Sequence, residues 1–185
     1  MMKVIRLLTM PLVETAKVGS SILRCLVLRW PNTSLGYAFR RGYAVRRGGV
    51  IGKNTLLHRG CDVTWNLTTI GSNCGIAENV VVALGPGRCR LIVGDDTFIG
   101  PETYMRNMNH GFERTDISII EQPYQGTDIV IGRSVWIGAR CILLAGTKIG
   151  DHCVVAAGSV VSCEIPPYSV VAGNPARVVM MRAAS

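Results

Sequence analysis

An aliphatic residue returns at every sixth position through the C-terminal part of the chain. The series consists of Ile131, Ile137, Leu143, Ile149, Val155 and Val161. Helices repeat near 3.6 residues and half-buried strands near two, so a period of six is typical of neither as a single face. It predicts a coil of three short, flat strands joined by tight corners. Each aliphatic side chain then points inward and stacks on its equivalent in the next coil.

The residues between these aliphatic positions are small or suited to corners. Four positions after most of them lies a small or β-branched residue: Val135, Cys141, Thr147, Cys153 and Ser159. Such residues fit a narrow interior and tight turns, and the composition agrees, with 21 glycines and only 6% aromatic residues. Weaker copies of the period begin upstream at Ile51, Ile70 and Val93. The phase shifts near Thr68 and across residues 84–90, where we expect bulges or loops.

Two segments lie outside the repeat. The period is lost over residues 108–127, which predicts a long insertion of the kind that often carries function. Residues 1–48 mix apolar residues with Lys and Arg, and Pro11 divides them into two predicted amphipathic helices. We therefore divide the chain into an N-terminal arm, 1–48, and a solenoid, 49–185. The arm either packs on a subunit or contacts the inner face of a membrane, since no stretch is long and apolar enough to span a bilayer.

Charge and cysteine usage exclude several classes of protein. The net charge is +8, but the basic residues form no run with interleaved aromatics, so we do not expect a nucleic-acid partner. A phosphate-rich cofactor or a membrane surface accounts for the charge equally well. The seven cysteines include no CxxC pair and no signal peptide is visible, which indicates the reducing cytosol. No ligands have metal-site spacing, and we expect no metal.

The repeat region reads IGRSVWIGARCILLAGTKIGDHCVVAAGSVVSCEIPPYSVVAGNPARVV from Ile131 to Val179. This stretch closely resembles the C-terminal half of hexapeptide-repeat O-acetyltransferases, a family that includes galactoside, maltose and serine acetyltransferases and enzymes that modify capsule or O-antigen. The resemblance covers roughly Gly49 to the C-terminus. It implies an all-β, left-handed parallel β-helix, a cytoplasmic homotrimer, and acetyl-CoA as co-substrate between adjacent subunits.

The resemblance also implies the acyl-CoA site. The predicted CoA-binding residues are Trp136, Ala139, Ala157, Gly158, Ser162, Asn174 and Arg177. The small ones let the pantetheine arm approach the backbone closely, and Arg177 matches a basic residue that binds a CoA phosphate. Trp136 either lines the groove or packs at the subunit interface. Two positions depart from the family pattern, because Cys163 and Met180 stand where a basic residue is common.

The insertion carries the predicted general base. Its sequence, NHGFERTDISIIEQPYQG, resembles the loop of polysaccharide O-acetyltransferases in which a catalytic histidine precedes an acidic segment. His110 matches that histidine, and a neutral imidazole can take a proton from a sugar hydroxyl at cytosolic pH. Glu102, Asn107 and Asn109 are candidates for orienting its ring.

Other residues are expected to be structural. We expect His58 and His152 to lie at exposed corners. Cys141 and Cys153 occupy inward positions as inert thiols, so direct transfer is favoured over an acyl-enzyme.

The acceptor is the least determined part of the prediction. The positions aligned with galactoside-binding residues are Asn66, Val80 and Arg88, and a valine cannot supply the same polar contact. We therefore favour a polysaccharide, capsule or O-antigen unit over a simple galactoside. Two alternatives stay open: an N-acetyltransferase for a nucleotide-linked amino sugar or a xenobiotic, and a non-catalytic hexapeptide-repeat scaffold.

Overall fold

The computed structural model describes residues 25–85 and 87–183. Residues 25–29 are helical, and helix α1 spans Ser34–Arg46. The Thr33 hydroxyl caps α1 by accepting a hydrogen bond from the Gly36 N–H at 3.2 Å. Gly36, Arg40 and Ala44 are the buried residues of α1; spaced four apart, they share one face of the helix. This part of the predicted arm therefore packs on its own solenoid. The rest of the predicted arm, residues 1–24, lies outside the described residues.

The solenoid has three faces, each a sheet of parallel strands. Face A contains β1 (Val50–Ile51), β4 (Thr68–Ile70), β7 (Leu91–Val93), β12 (Ile129–Ile131), β15 (Lys148–Ile149) and β18 (Glu164–Ile165). Face B contains β2 (Leu56–Leu57), β5 (Gly75–Ile76), β8 (Phe98–Ile99), β13 (Trp136–Ile137), β16 (Val154–Val155) and β19 (Ser169–Gly173). Face C contains β3 (Asp62–Val63), β6 (Val81–Val82), β9 (Tyr104–Met105), β14 (Ile142–Leu143) and β17 (Val160–Val161). The chain visits A, B and C in turn and so builds six coils, the last of them incomplete.

The core is a stack of the predicted aliphatic residues. In most two-residue strands the first side chain faces out and the second is buried, and the six residues of the C-terminal series are all buried. Small or β-branched residues fill the second inward position, and where they are threonines, the buried hydroxyls of Thr55, Thr97 and Thr103 donate to carbonyl oxygens of neighbouring coils. The repeat prediction is confirmed, and the architecture agrees with a left-handed parallel β-helix of hexapeptide repeats.

Irregular segments occur where the period shifts. A 3-10 helix at Trp65–Leu67 precedes β4, and residues 84–85 and 87–90 belong to no helix or strand. Between β9 and β12 the chain leaves the coil as an antiparallel hairpin of β10 (Met108–His110) and β11 (Tyr124–Gly126), with a second 3-10 helix at Ile119–Glu121. After β19 the chain reverses, and β20 (Ala176–Met181) pairs antiparallel with it, closing the end of the solenoid.

Candidate active site

We name the three edges of the solenoid by the faces they join: the A–B, B–C and C–A edges. The B–C edge carries the residues predicted to bind the pantetheine arm. Ala139 lies at this edge in the fourth coil, and Ala157 and Gly158 lie at the same edge in the fifth. Together with Pro101, Glu102 and Arg140 they line a groove of about 480 Å³. The structure thus brings these predicted residues together.

The groove exposes two unused backbone donors. On the A–B edge, side chains of the next coil accept from three of the corresponding N–H groups: Lys53 donates to Ser72 Oγ at 3.2 Å, Ser72 to Asp95 Oδ1 at 2.6 Å, and Arg133 to Asp151 Oδ1 at 2.9 Å. On the B–C edge, the N–H groups of Ala139 and Ala157 have no acceptor within residues 25–85 and 87–183. Unpaired N–H groups are strong hydrogen-bond donors, so this edge can bind a ligand that offers carbonyl oxygens.

Close stacking of the coils requires a glycine beside the groove. A Cβ added at Gly138 would lie 2.5 Å from the Ala157 nitrogen and 2.8 Å from its Cα. The glycine of the WIG motif is therefore required for packing, and it fixes the spacing of the two open N–H groups.

The C-terminal turn lies at the same edge, beyond the fifth coil. The Gly173 N–H donates to Ser159 Oγ at 3.2 Å, which ties the turn after β19 to the B–C edge. Asn174 lies in this turn before a cis peptide bond to Pro175, and the exposed Arg177 pairs with Ala172 on β19. The predicted phosphate-binding residue is therefore at the C-terminal end of the groove edge.

Two predicted CoA-binding residues lie elsewhere in the same chain. Ser162 follows β17 and so lies at the C–A edge. Trp136 is 57% exposed on the outer side of face B, where its strand neighbour is Phe98 at 43% exposure. Neither residue lines the groove of its own chain.

His110 also belongs to the C–A edge, since the hairpin leaves the coil after β9 and returns at β12. On β10 it stands opposite Tyr124 of β11, with ring centroids 4.1 Å apart and planes tilted by 43°. Its Nδ1 is buried and has no hydrogen-bond partner within the described chain. Tyr124 packs against one side of the imidazole, and no side chain among residues 25–85 and 87–183 donates to or accepts from Nδ1 to select a tautomer.

Side-chain hydrogen bonds order the insertion that carries His110. The buried Gln122 side chain makes two hydrogen bonds to the Arg114 backbone. It accepts from the N–H at 3.2 Å and donates to the carbonyl at 2.8 Å. Gln125 donates to Glu113 at 3.1 Å, and Ser118 with Glu121 forms a capping box on the 3-10 helix. These contacts fix the hairpin from its base to its tip.

None of the three candidate orienters hydrogen-bonds to His110 within one chain. Asn107 is fully buried and contacts Gly85 and Cys89: its Oδ1 accepts from the Gly85 N–H at 2.9 Å and its Nδ2 donates to the Cys89 carbonyl at 3.0 Å. Asn109 is exposed and pairs with Gln125 across the hairpin. Glu102 lies at the B–C edge, where its carboxylate accepts from Arg140 Nε at 2.7 Å. Glu102 and His110 are only eight positions apart in sequence, but β9 carries the chain from one edge to another.

Several remaining expectations concern structural residues. Burial raises the pKa of the Cys141 and Cys153 thiols, as expected for inert core cysteines. We predicted that His58 and His152 are exposed, and the prediction is wrong, because both are half-buried at corners. His58 contacts Glu78 at 3.1 Å, and His152 stacks on the Tyr168 ring at 5.0 Å. Among residues 25–85 and 87–183, no three His, Cys, Asp or Glu side chains are grouped as metal ligands.

Sequence reasoning missed Arg140 and Tyr124. Arg140 directly follows the predicted Ala139, and a signal was available, since a long charged residue stands at a corner position where Gly or Asn is favoured. Tyr124 had no comparable signal, because its contact with His110 depends on the register of the hairpin.

Fold and repeat together define a hexapeptide-repeat β-helix protein. Residues 128–163 match the family model "Bacterial transferase hexapeptide (six repeats)". A search of curated proteins finds no significant match.

Several solved structures similar to this chain are acetyltransferases. A hexapeptide-repeat acetyltransferase of Vibrio cholerae in complex with acetyl-CoA is 27% identical, with 93% of this chain and 90% of that chain covered and a TM-score of 0.73. A maltose O-acetyltransferase of Clostridium difficile is 25% identical, over 93% and 88% of the two chains, with a TM-score of 0.71. A galactoside acetyltransferase in complex with CoA shares the fold at 21% identity, over 95% and 84%, with a TM-score of 0.74. The predicted resemblance to hexapeptide-repeat acetyltransferases is confirmed.

In the described part of the chain, no helix has the length and apolarity needed to cross a bilayer.

Proposed function

We propose that this protein transfers the acetyl group of acetyl-CoA to a hydroxyl of a sugar. The observation that carries the proposal is the pair of open N–H donors, Ala139 and Ala157, in a groove on a solenoid similar to one solved with acetyl-CoA. Parallel strands of adjacent coils lie about 4.8 Å apart, so the donors form a short row along the edge. Pantetheine is a slender chain with two amide carbonyls, which suits such a row.

The charge distribution orients the cofactor in this groove. Arg177 lies at the C-terminal end of the edge, and a guanidinium binds phosphate oxygens well. In this proposal the phosphates of CoA lie near Arg177, and the thioester lies near the third and fourth coils, beside Glu102 and Arg140.

A complete site needs a second copy of the chain. The groove lies at the B–C edge and His110 at the C–A edge, so one subunit cannot bring its own imidazole to its own groove. In a homotrimer the C–A edge of one subunit meets the B–C edge of the next, and Ser162 reaches the cofactor from the same side as His110. Exposed apolar side chains on the outer side of face B, including Phe98 and Trp136, offer a contact surface for such an assembly.

Chemistry then proceeds by direct transfer. Neutral His110 takes the proton of the acceptor hydroxyl as its oxygen attacks the thioester carbonyl. A backbone N–H stabilises the oxyanion of the tetrahedral intermediate. The carbon–sulfur bond breaks, the imidazolium returns the proton to the CoA sulfur, and the acetyl ester leaves with the acceptor. The inward cysteines have no part in the reaction.

The acceptor we favour is a polysaccharide, capsule or O-antigen unit, modified in the cytoplasm. Val80, at a position aligned with a galactoside-binding residue, is fully buried and cannot contact any acceptor. The apolar residues Leu35, Phe39 and Val45 of α1 are exposed. They are consistent with contact between the arm and the inner face of a membrane, where lipid-linked sugars are found.

Release of the CoA thiol from acetyl-CoA tests the proposal across a panel of sugars and amino sugars. We expect His110→Ala to lower kcat by at least about 100-fold, and the control His152→Ala, a histidine of the A–B edge, to keep wild-type activity. Full activity of His110→Ala would contradict the assigned base. Activity confined to amino sugars would point to N-acetyl transfer instead.

Mixed trimers test the shared site. His110→Ala subunits are refolded with subunits whose groove is blocked by Ala157→Leu, each inactive alone. If neighbouring subunits share a site, random mixing restores about a quarter of the sites. A mixture as inactive as its components would refute the shared site.

A further inference from the structure

Corner residues of this solenoid adopt a left-handed backbone conformation, and most are residues that tolerate it. Asn54, Asn73, Asn79 and Asp96 have φ between 55° and 58°, and Gly60 and Gly158 also have positive φ. Ser134, His152 and Tyr168 at the A–B edge also have positive φ, and at the B–C edge Glu102 and Arg140 are the non-glycine, non-asparagine residues that do, with φ of 59° and 57°. Long side chains adopt this conformation at an energetic cost, which persists only where something compensates for it.

Their ion pair is a weak compensation. Arg140 Nε donates to Glu102 Oε2 at 2.7 Å, but the side chains are 76% and 49% exposed, and exposed pairs contribute little to stability. The terminal Nη1 and Nη2 groups of Arg140 and the Oε1 atom of Glu102 have no partner within the described chain. The pair therefore presents free donors and a free acceptor side by side in the groove.

The position of the pair indicates what it contacts. If the phosphates of CoA lie near Arg177, the thioester lies beside Glu102 and Arg140, and the acceptor must reach that end of the groove. Resting on the proposed function, we infer that Glu102 and Arg140 recognise the acceptor by binding two neighbouring hydroxyls of an uncharged sugar. One hydroxyl donates to Glu102 Oε1, and the other accepts from a terminal nitrogen of Arg140.

The charge balance of the pair favours an uncharged acceptor. The guanidinium is already neutralised by Glu102, and an acidic sugar would be repelled by that carboxylate. A neutral sugar is not repelled by the carboxylate. Its neighbouring hydroxyls can each donate or accept a hydrogen bond, so they match an adjacent donor and acceptor. Glu102, a sequence-based candidate for orienting the His110 ring, then determines acceptor specificity instead.

The test compares Glu102→Asn and Arg140→Asn with Ser134→Asn, a matched control at a corner of the A–B edge with φ of 54°. Acetyl-CoA affinity is measured by calorimetry. Acceptor kinetics use methyl glycosides of glucose, galactose and mannose and the matching uronic acids. We expect each groove variant to raise the KM of the neutral acceptor about 10- to 100-fold. The Kd for acetyl-CoA should stay within about twofold of wild type, and the Tm should not fall by more than about 1 °C.

Several outcomes would overturn the inference. One is an acceptor KM that stays within twofold of wild type in both groove variants. Another is wild-type preference for a uronic acid. A third is a fall in kcat with a shifted pH profile and unchanged KM in Glu102→Asn, which would show that Glu102 orients His110. Wild-type protein that binds acetyl-CoA but acetylates only the uronic acids refutes this inference alone, whereas failure to bind acetyl-CoA refutes the proposed function.

Discussion

Replacing Gly138 with Ala tests whether coil spacing supports both stability and cofactor binding. The added Cβ would lie 2.5 Å from the Ala157 nitrogen and 2.8 Å from its Cα, where ordinary contact begins at 3.4 Å. Both atoms belong to the backbone, so no side chain can rotate away. The fourth and fifth coils must separate locally, and the parallel hydrogen bonds between β13 and β16 must stretch.

The magnitude follows from what overpacking costs. Inserting a methyl group into a well-packed region costs about 1–3 kcal/mol. For a chain of this size each kcal/mol lowers Tm by about 2–4 °C, so we expect a decrease of roughly 6 °C. The same displacement moves the open Ala139 and Ala157 N–H groups apart, which should weaken acetyl-CoA binding about tenfold, the loss of one hydrogen bond.

Thermal unfolding followed by circular dichroism and calorimetric titration with acetyl-CoA measure the two effects. Gly42→Ala is the matched control, because its Cβ would meet no atom within 4 Å and alanine is the better helix former by about 1 kcal/mol. We expect that control to raise Tm slightly and to bind acetyl-CoA normally. A Gly138→Ala variant with wild-type Tm and affinity would refute the argument from close stacking.

Three further predictions concern other parts of the molecule. Arg40→Met should lower stability by about 3 kcal/mol, since the buried guanidinium donates to the carbonyls of Leu57 and Trp30; urea unfolding checks this, and an exposed Arg46→Met control should change little. Gln122→Ala should lower kcat at least about tenfold with Tm within about 2 °C, because Gln122 clasps the peripheral hairpin and not the core; equal losses in kcat and Tm would contradict that role. Alkylation of the native protein, read by mass spectrometry, should modify only exposed cysteines, since burial raises the pKa of Cys61 to about 12 and raises that of the other core thiols. The residues expected to react are Cys25 and Cys163, and those expected to resist are Cys61, Cys74, Cys141 and Cys153; rapid labelling of the second group would show that the coils open.

Local pattern predicted the solenoid and part of the site. Each inward aliphatic residue stacks on one a single coil away, so a period of six in sequence is already a period in space. The small residues Ala139, Ala157 and Gly158 were assigned to one groove by the resemblance of their motifs to those of hexapeptide-repeat acetyltransferases, and their spacing agrees with the period. The insertion at 108–127 was predicted because the period stops there, although its antiparallel hairpin was not.

Sequence by itself therefore determined the coil, its narrow core and the interrupted segment that carries His110. Only the tertiary structure showed on which edge each residue lies. Glu102 and His110 are close in sequence yet occupy different edges, because one short strand of face C turns the chain between them. The bond from Arg140 to Glu102 and the contact of Tyr124 with His110 likewise join residues 38 and 14 positions apart, and such contacts depend on how coils and hairpin strands pair, which no local pattern encodes.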